Sequence, residues 1–422
     1  MFYINVGHDH QLQADMGSGK GIILLPVHHH AERIVRDHSF DCASFLLDPQ
    51  MYLASLDRSD CSKACGRLSS YPWFAVPDVP ELEEGMTLAT WHTQLEKNAK
   101  ENWPGQSPPV ERAVALCTQA LSFQASLGCS YLILPSPLLT DIADDGILLA
   151  HWIDAGLRAS QECGLEVPVL ATIPVDESIL TDTFFAPYGF LDAIVDQVTA
   201  RDGIHGTYIL VNQSNALHPF RMPQSVARAY IELVRRLASA GQEQILVNFA
   251  DVLGAVCLGV GASGFASGES QSRRRLSLKG LIDVAMARRF PRYYSHATIS
   301  EFYPETDLDK IVERGLLRQV SDPSPYSRRL LEALAAGRSA SEIGSWAENV
   351  SNDHTSRRHF LFRLIQAEDE LSREATSSSR LTSIRNWLED ATMRRLYIDT
   401  RLEGETLKGD AAPTEDWVRL LD

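Results

Sequence analysis

Short apolar runs recur along the chain, each closed by turn-forming or polar residues: 21–27, 44–50, 131–136, 167–175, 206–213, 244–250, the glycine-rich stretch entered through Ala255 to Leu258, and 293–300. They are continuously apolar, not alternating, which predicts strands buried on both faces. Between most of them lie helix-like segments, 110–128, 148–164, 186–203 and 223–241, each closing on a glycine as helix C-termini often do. Eight strands alternating with helices predict a parallel sheet, and eight is the number that closes a (β/α)8 barrel. An open doubly wound parallel sheet is the alternative, because the spacing is uneven. About ten residues separate Phe249 from the glycine-rich strand, while the connection after the second run is long enough to hide a further strand or a lid.

Beyond about residue 322 the strand pattern stops. Segments 325–337, 354–374 and 381–395 read as helices, and the 376–380 stretch as a short linker. The expected organisation is a (β/α)8-like barrel over 1–321 with an insertion at about 54–110, followed by a helical C-terminal region over 322–422.

The chain has 422 residues, 44% apolar and 22% charged, as a globular protein has. No stretch approaches the length of a membrane span, and the N-terminus lacks the basic and apolar parts of a secretory signal, so a cytoplasmic location and no membrane partner are expected. Seven scattered cysteines suit reduced thiols. Neither Cys61 and Cys65 nor His28 and His30 are joined by further ligands at metal-site spacing, so no metal and no cofactor are expected.

The net charge of −16 argues against general nucleic-acid binding, but its distribution is uneven. From Arg273 to Arg292 the chain carries Arg273, Arg274, Arg275, Lys279, Arg288, Arg289 and Arg292 against Asp283 alone, a local balance of +6. Such a face fits a nucleotide or nucleic acid, or a protein partner. Equally, these cations fit a helix paired with acids elsewhere in the fold.

Just before it, Gly259-x-Gly261-x-x-Gly264 has the spacing of a dinucleotide fingerprint. The continuation is too rich in Gly and Ser to open a helix, and no acid follows at the end of a next strand, which argues against that site. A phosphate cradle at the end of a seventh barrel strand fits better. Backbone amides between Gly261 and Ser270, with Gly264 and Gly268 leaving room, would meet the anion, and Arg273 would add a charge-assisted bond. Arg274, Arg275, Lys279, Arg288 and Arg289 would extend the site toward nucleic acid. The other glycine cluster, around Lys20, lacks both the first Gly and the hydroxyl residue of a P-loop.

In parallel barrels chemistry gathers where strands end. That rule selects Asp48 and Gln50, Asp176 and Glu177, Asn212 and Gln213, Asn248 and Asp251, and His296. Asp48 ends an apolar run before Pro49 and fits a base or a nucleophile, or the cap of a turn; Asn248 and Asp251 would face the same reacting group.

Three patches resemble the tRNA-guanine transglycosylase superfamily, which includes relatives that place deazaguanine bases in DNA. They are the turn leading into 22–27, the string from Gly264 to Glu269, and the late helix around 359–365. The resemblance implies a barrel transferase in which an aspartate attacks the sugar carbon of a guanine nucleotide and a new base displaces it. The family's base-recognition motif and its zinc cysteines are absent here. A non-catalytic barrel serving as a nucleic-acid- or protein-binding subunit is the alternative. Residues 334–359 are also similar to the helix-turn-helix of LuxR-type regulators, although their lack of net basic charge favours a plain helical bundle.

Overall fold

The computed structural model describes residues 1–7, 19–37, 41–57, 59–74, 111–143, 145–214, 222–283, 290–349 and 353–422. Eight short strands carry the core: β1 (Phe2–Val6), β2 (Gly21–Leu24), β3 (Ser44–Leu47), β4 (Leu132–Ile133), β5 (Val169–Asp176), β6 (Gly206–Asn212), β7 (Gln244–Val247) and β8 (Gly264–Ser267). All pair in parallel in the order β3-β2-β1-β8-β7-β6-β5-β4. The two ends of that order meet. Ser130, just before β4, donates its amide to the Phe45 carbonyl at 2.8 Å and accepts the Phe45 amide on Oγ at 3.1 Å. A side chain thus completes what a ladder does elsewhere, and the sheet is a nearly closed α/β barrel of the TIM type, not an open sheet.

Helices Glu111–Ser126, Asp145–Glu162, Phe190–Thr199 and Gln224–Ser239 form much of the outer layer, each within a few residues of the span its sequence pattern predicts. The remaining wall, beside β8 and β1, is covered from the C-terminal region. Helix Asp353–Ser372 lies on β1, and helix Ser377–Arg401 packs on helix Leu253–Gly259 so closely that a Cβ on Gly259 would collide with Ile384. The 376–380 stretch is no linker: Thr376 caps that second helix through a capping box with Ser379.

Two strand assignments change. Ala255 to Leu258 belongs to helix Leu253–Gly259, all seven of whose residues are buried. A helix enclosed on every side is apolar on every side, so its run looks like a buried strand. Tyr293–Ser295 (β9) is not a barrel strand either. It pairs antiparallel with Ser300–Phe302 (β10) in a hairpin outside the barrel, and His296 sits in its turn, stacked on Trp387. The strand of the glycine-rich stretch is β8, a few residues further on, and β1 restores the count to eight.

The hairpin anchors a second apolar cluster, with Leu308, Leu330, Trp346 and Ile398 among its members. Between helix Arg328–Ala335 and helix Asp353–Ser372 the described residues form one short 3-10 turn, Ala340–Glu342, so they make no helix-turn-helix. Of the insertion at 54–110, the described part holds helix Ser62–Leu68 and the turn Pro72–Phe74. Trp73 is buried there, its indole donating to the Pro49 carbonyl at 2.9 Å, so this part packs on the end of β3; the rest lies outside the described residues.

Candidate functional site

Bonds between strands that are not neighbours in the sheet run through the barrel interior, and they reveal which side chains point inward. Tyr208 on β6 donates to Asp48, which directly follows β3, at 2.8 Å. Asn5 on β1 donates to Oδ1 of Asn248, directly after β7, at 2.7 Å. Period-two alternation then places the C-terminal ends of these strands around one polar layer.

That layer is a single hydrogen-bond chain. Asp48 Oδ2 accepts from Tyr208 and, at 2.6 Å, from Tyr52, while Oδ1 accepts the Gln50 amide at 2.9 Å. The Tyr208 hydroxyl accepts from Asn248 Nδ2, and Asn248 Oδ1 accepts from Asn5 and from the Phe249 amide. Tyr230 binds the Asn248 carbonyl at 2.9 Å and accepts the Val211 amide at the same distance, tying β6 to β7. From Asn5 through Asn248 and Tyr208, each side-chain donor of the relay points toward Asp48. Burial nevertheless raises the Asp48 carboxyl to about 6, with the two phenols and the Gln50 amide opposing the rise. Burial and the adjacent carboxylate push both phenols well above their usual range, which keeps them protonated donors.

Arg273 closes the layer. Its guanidinium occupies the space a Cβ on Gly7 would need, and its Cβ and backbone press on Gly268. Both glycines end strands, β1 and β8, so their missing side chains make the seat. Arg273 binds Glu269 and, at 3.0 Å, Ser270 Oγ, and its carbonyl accepts from Asn5 at 3.3 Å and from the Gly268 amide at 3.0 Å.

The expected anion loop is therefore divided. Gly261 lies in the turn after a helix and Gly264 opens β8, at the opposite end of the barrel from Gly268, Ser270 and Arg273. The amides between them are already engaged: Ala262, Ser263, Phe265 and Gly268 donate to carbonyls of Cys257, Ile245, Met1 and Arg273. Nor are the next arginines an open basic face. Arg274 is buried against the Phe360 ring and paired with Glu301, and Arg292 meets Glu301 and Asp410 at 3.8 and 3.5 Å. Burial lowers Arg275 to about 10, opposed chiefly by Asp251. These cations balance acids elsewhere in the fold and tie the end of β8 to the hairpin and to the chain near 410. Lys279 is exposed; Arg288 and Arg289 lie outside the described residues.

Asp251 belongs to this ionic cluster and not to the Asp48 chain. Its buried carboxylate makes no hydrogen bond among the described residues, and burial raises it to about 6 against the pull of Arg274 and Arg275. Asn212 and Asp176 pair with each other at 2.6 Å on the rim. Gln213 is buried, and its side-chain amide has no hydrogen-bond partner among the described residues. Left-handed backbone at Gln50, Phe249 and Asp251 marks the turns directly after β3 and β7, where ordinary side chains adopt it at a cost. Of the expected residues, Asp48, Asn248 and Arg273 thus converge, with Gln50 bonded to Asp48 and Gly268 and Ser270 to Arg273. Asn5, Tyr52 and Tyr208 were not anticipated, since only the tertiary fold brings them there.

Among the described residues no cluster of three or more His, Cys, Asp or Glu could hold a metal ion, and no helix is long and apolar enough to cross a membrane. No protein-family model matches the chain, and no curated protein matches it.

Proposed function

We propose that the chain is an enzyme acting on a nucleotide or another phosphate-bearing substrate at the C-terminal mouth of the barrel. Asp48 is the reacting carboxylate and Arg273 the anion contact. One observation carries the reading: where a barrel built only for stability packs branched aliphatic side chains, this one sets Asn5, Asp48, Tyr208 and Asn248, contributed from four strands, in one bonded layer beneath a guanidinium. The buried charge and the strained turns are costs that a structural barrel has no reason to carry.

At neutral pH a carboxyl titrating near 6 is mostly ionised and serves as base or nucleophile. Base exchange, the reaction implied by the resemblance to transglycosylases, fits such a group. The carboxylate attacks the sugar carbon, the glycosidic electron pair and a proton leave with the old base, and an incoming base displaces the carboxylate while losing a proton. Tyr52, Tyr208 and Asn248 hold the carboxylate in one orientation throughout.

The competing reading, a non-catalytic subunit, is favoured by the complete burial of Asp48 and its bonds within the chain. Titration with guanosine and adenosine monophosphates separates the two. The enzyme reading expects a rise in melting temperature, its loss in Arg273→Ala, and exchange of labelled guanine into a nucleic acid that is abolished in Asp48→Asn with binding retained. Absence of both binding and exchange in the folded wild-type protein would overturn it.

A further inference from the structure

The barrel has a second opening. At the N-terminal ends of the strands, opposite the Asp48 layer, lies a cavity of about 420 Å³ walled by β1, β3, β5, β7, β8 and the approach to β4. Its size falls in the range of roughly 300 to 1,000 Å³ typical of small-molecule sites. We infer that it binds an uncharged, planar, hydrogen-bonding molecule of the nucleobase or aromatic-amide class, independently of the reading of the mouth.

Three observations define that ligand. No Lys, Arg, His, Asp or Glu side chain lines the cavity, and the Met1 ammonium at its edge is already bound to the Ser263 carbonyl at 2.6 Å and lies 3.5 Å from Glu368, so a charged group entering would lose its hydration with little compensation. Tyr3 and Tyr131 supply aromatic walls; the Tyr3 ring lies over Gly21, where a Cβ would collide with it, and its hydroxyl is bound to Ser44 at 3.2 Å. Burial raises the Tyr3 phenol, keeping it neutral. Gln244 presents an amide that makes no hydrogen bond among the described residues, and its Cβ is held against Gly206. An amide able to donate and accept beside two phenol rings complements the edge and the faces of a flat heterocycle.

The small residues here also need a reason. Ser44 and Ser263 stand at a level where filled barrels carry branched side chains that complete the core. Their combined effect is to leave the base of the barrel hollow.

Ligand-observed NMR with adenine and nicotinamide as neutral probes, and adenosine monophosphate as the charged control, tests the assignment on the full chain. Adenine or nicotinamide is expected to bind wild-type protein. Affinity should fall at least tenfold in Gln244→Leu, which removes the amide, and in Ala43→Trp, which fills the exposed rim without altering the core. Arg273→Ala should leave it unchanged. Circular dichroism establishes that each variant is folded, and a second filling variant, Ala43→Phe, replaces any that is not. Failure of both neutral probes to bind, or affinity within twofold of wild type in folded Gln244 and Ala43 variants, would overturn the inference. Binding of the monophosphate lost only in Arg273→Ala bears on the mouth alone, so the two sites stand or fall separately.

Discussion

Asp48 and His359 give the chain opposing responses to acid. The Asp48 carboxyl rises on folding, so its unfavourable contribution to stability grows as pH increases from the unfolded value near 4 to the folded value near 6. Relative to wild type, Asp48→Asn should therefore gain about 1 kcal/mol between pH 5 and 7.5, measured by urea denaturation at both pH values. A constant difference would show that Asp48 is not the titrating group. His359 is fully buried, bonded to the Tyr294 carbonyl at 2.7 Å and to Ser324 at 2.8 Å, and burial lowers it to about 3. A depressed histidine contributes stability above its unfolded value near 6.5, and that stability is lost as pH falls toward the folded value. Melting temperature should decline below pH 6.5 in wild type and decline less steeply in His359→Gln. The buried charge of Asp48 was the most legible feature of the site, because an acid ending an apolar run stands out in any sequence. Its partners were not: nothing local distinguishes Tyr208 from an ordinary strand tyrosine until β6 faces β3 across the barrel.

At the level of strands and helices, the places where backbone fits tightly make sharp predictions. A methyl group on Gly7 competes directly with the Arg273 guanidinium. Gly7→Ala should cost roughly 1–3 kcal/mol by overpacking, and much less when Arg273 is already alanine, a coupling that a double-mutant cycle reads directly. Additive costs would place Arg273 elsewhere. The seam between β3 and β4 depends on the Ser130 hydroxyl. Ser130→Ala leaves the Phe45 amide without its acceptor and should cost about 1–3 kcal/mol, with faster hydrogen exchange at Phe45 than at Leu46. The elements that the sequence pattern misplaced share one cause. β1 is five residues long with a polar Asn5 inside it, so no periodic signal announces it, whereas helix Leu253–Gly259 is enclosed and loses the polar face by which helices are known. Long amphipathic helices such as Gln224–Ser239 were legible because one face meets water and the other the core.

The molecule as a whole is held by contacts between distant parts of the chain. Lys20, beside β2, binds Glu368 at 2.7 Å and Asp369 at 2.5 Å on helix Asp353–Ser372, whose Arg357 approaches Glu269 after β8 at 3.9 Å. The C-terminal region is thus part of the barrel wall. Deletion of 353–422 should abolish cooperative unfolding, because it uncovers helix Leu253–Gly259 and the outer face of β1; a truncated protein with a single sharp transition would contradict this. The barrel itself was legible from the strand count. The role of the tail as its wall was not, since helical periodicity shows which face is apolar without showing what that face meets.

The pairing of β1 with β8 sets an order of events during synthesis. Phe2 stands opposite Phe265, so β1 leaves the ribosome about 260 residues ahead of its second neighbour. At about 5–20 residues per second, that interval is on the order of tens of seconds. Throughout it β1 presents toward β8 a row of backbone groups that no strand yet bonds, an exposed edge of the kind that folded sheets avoid.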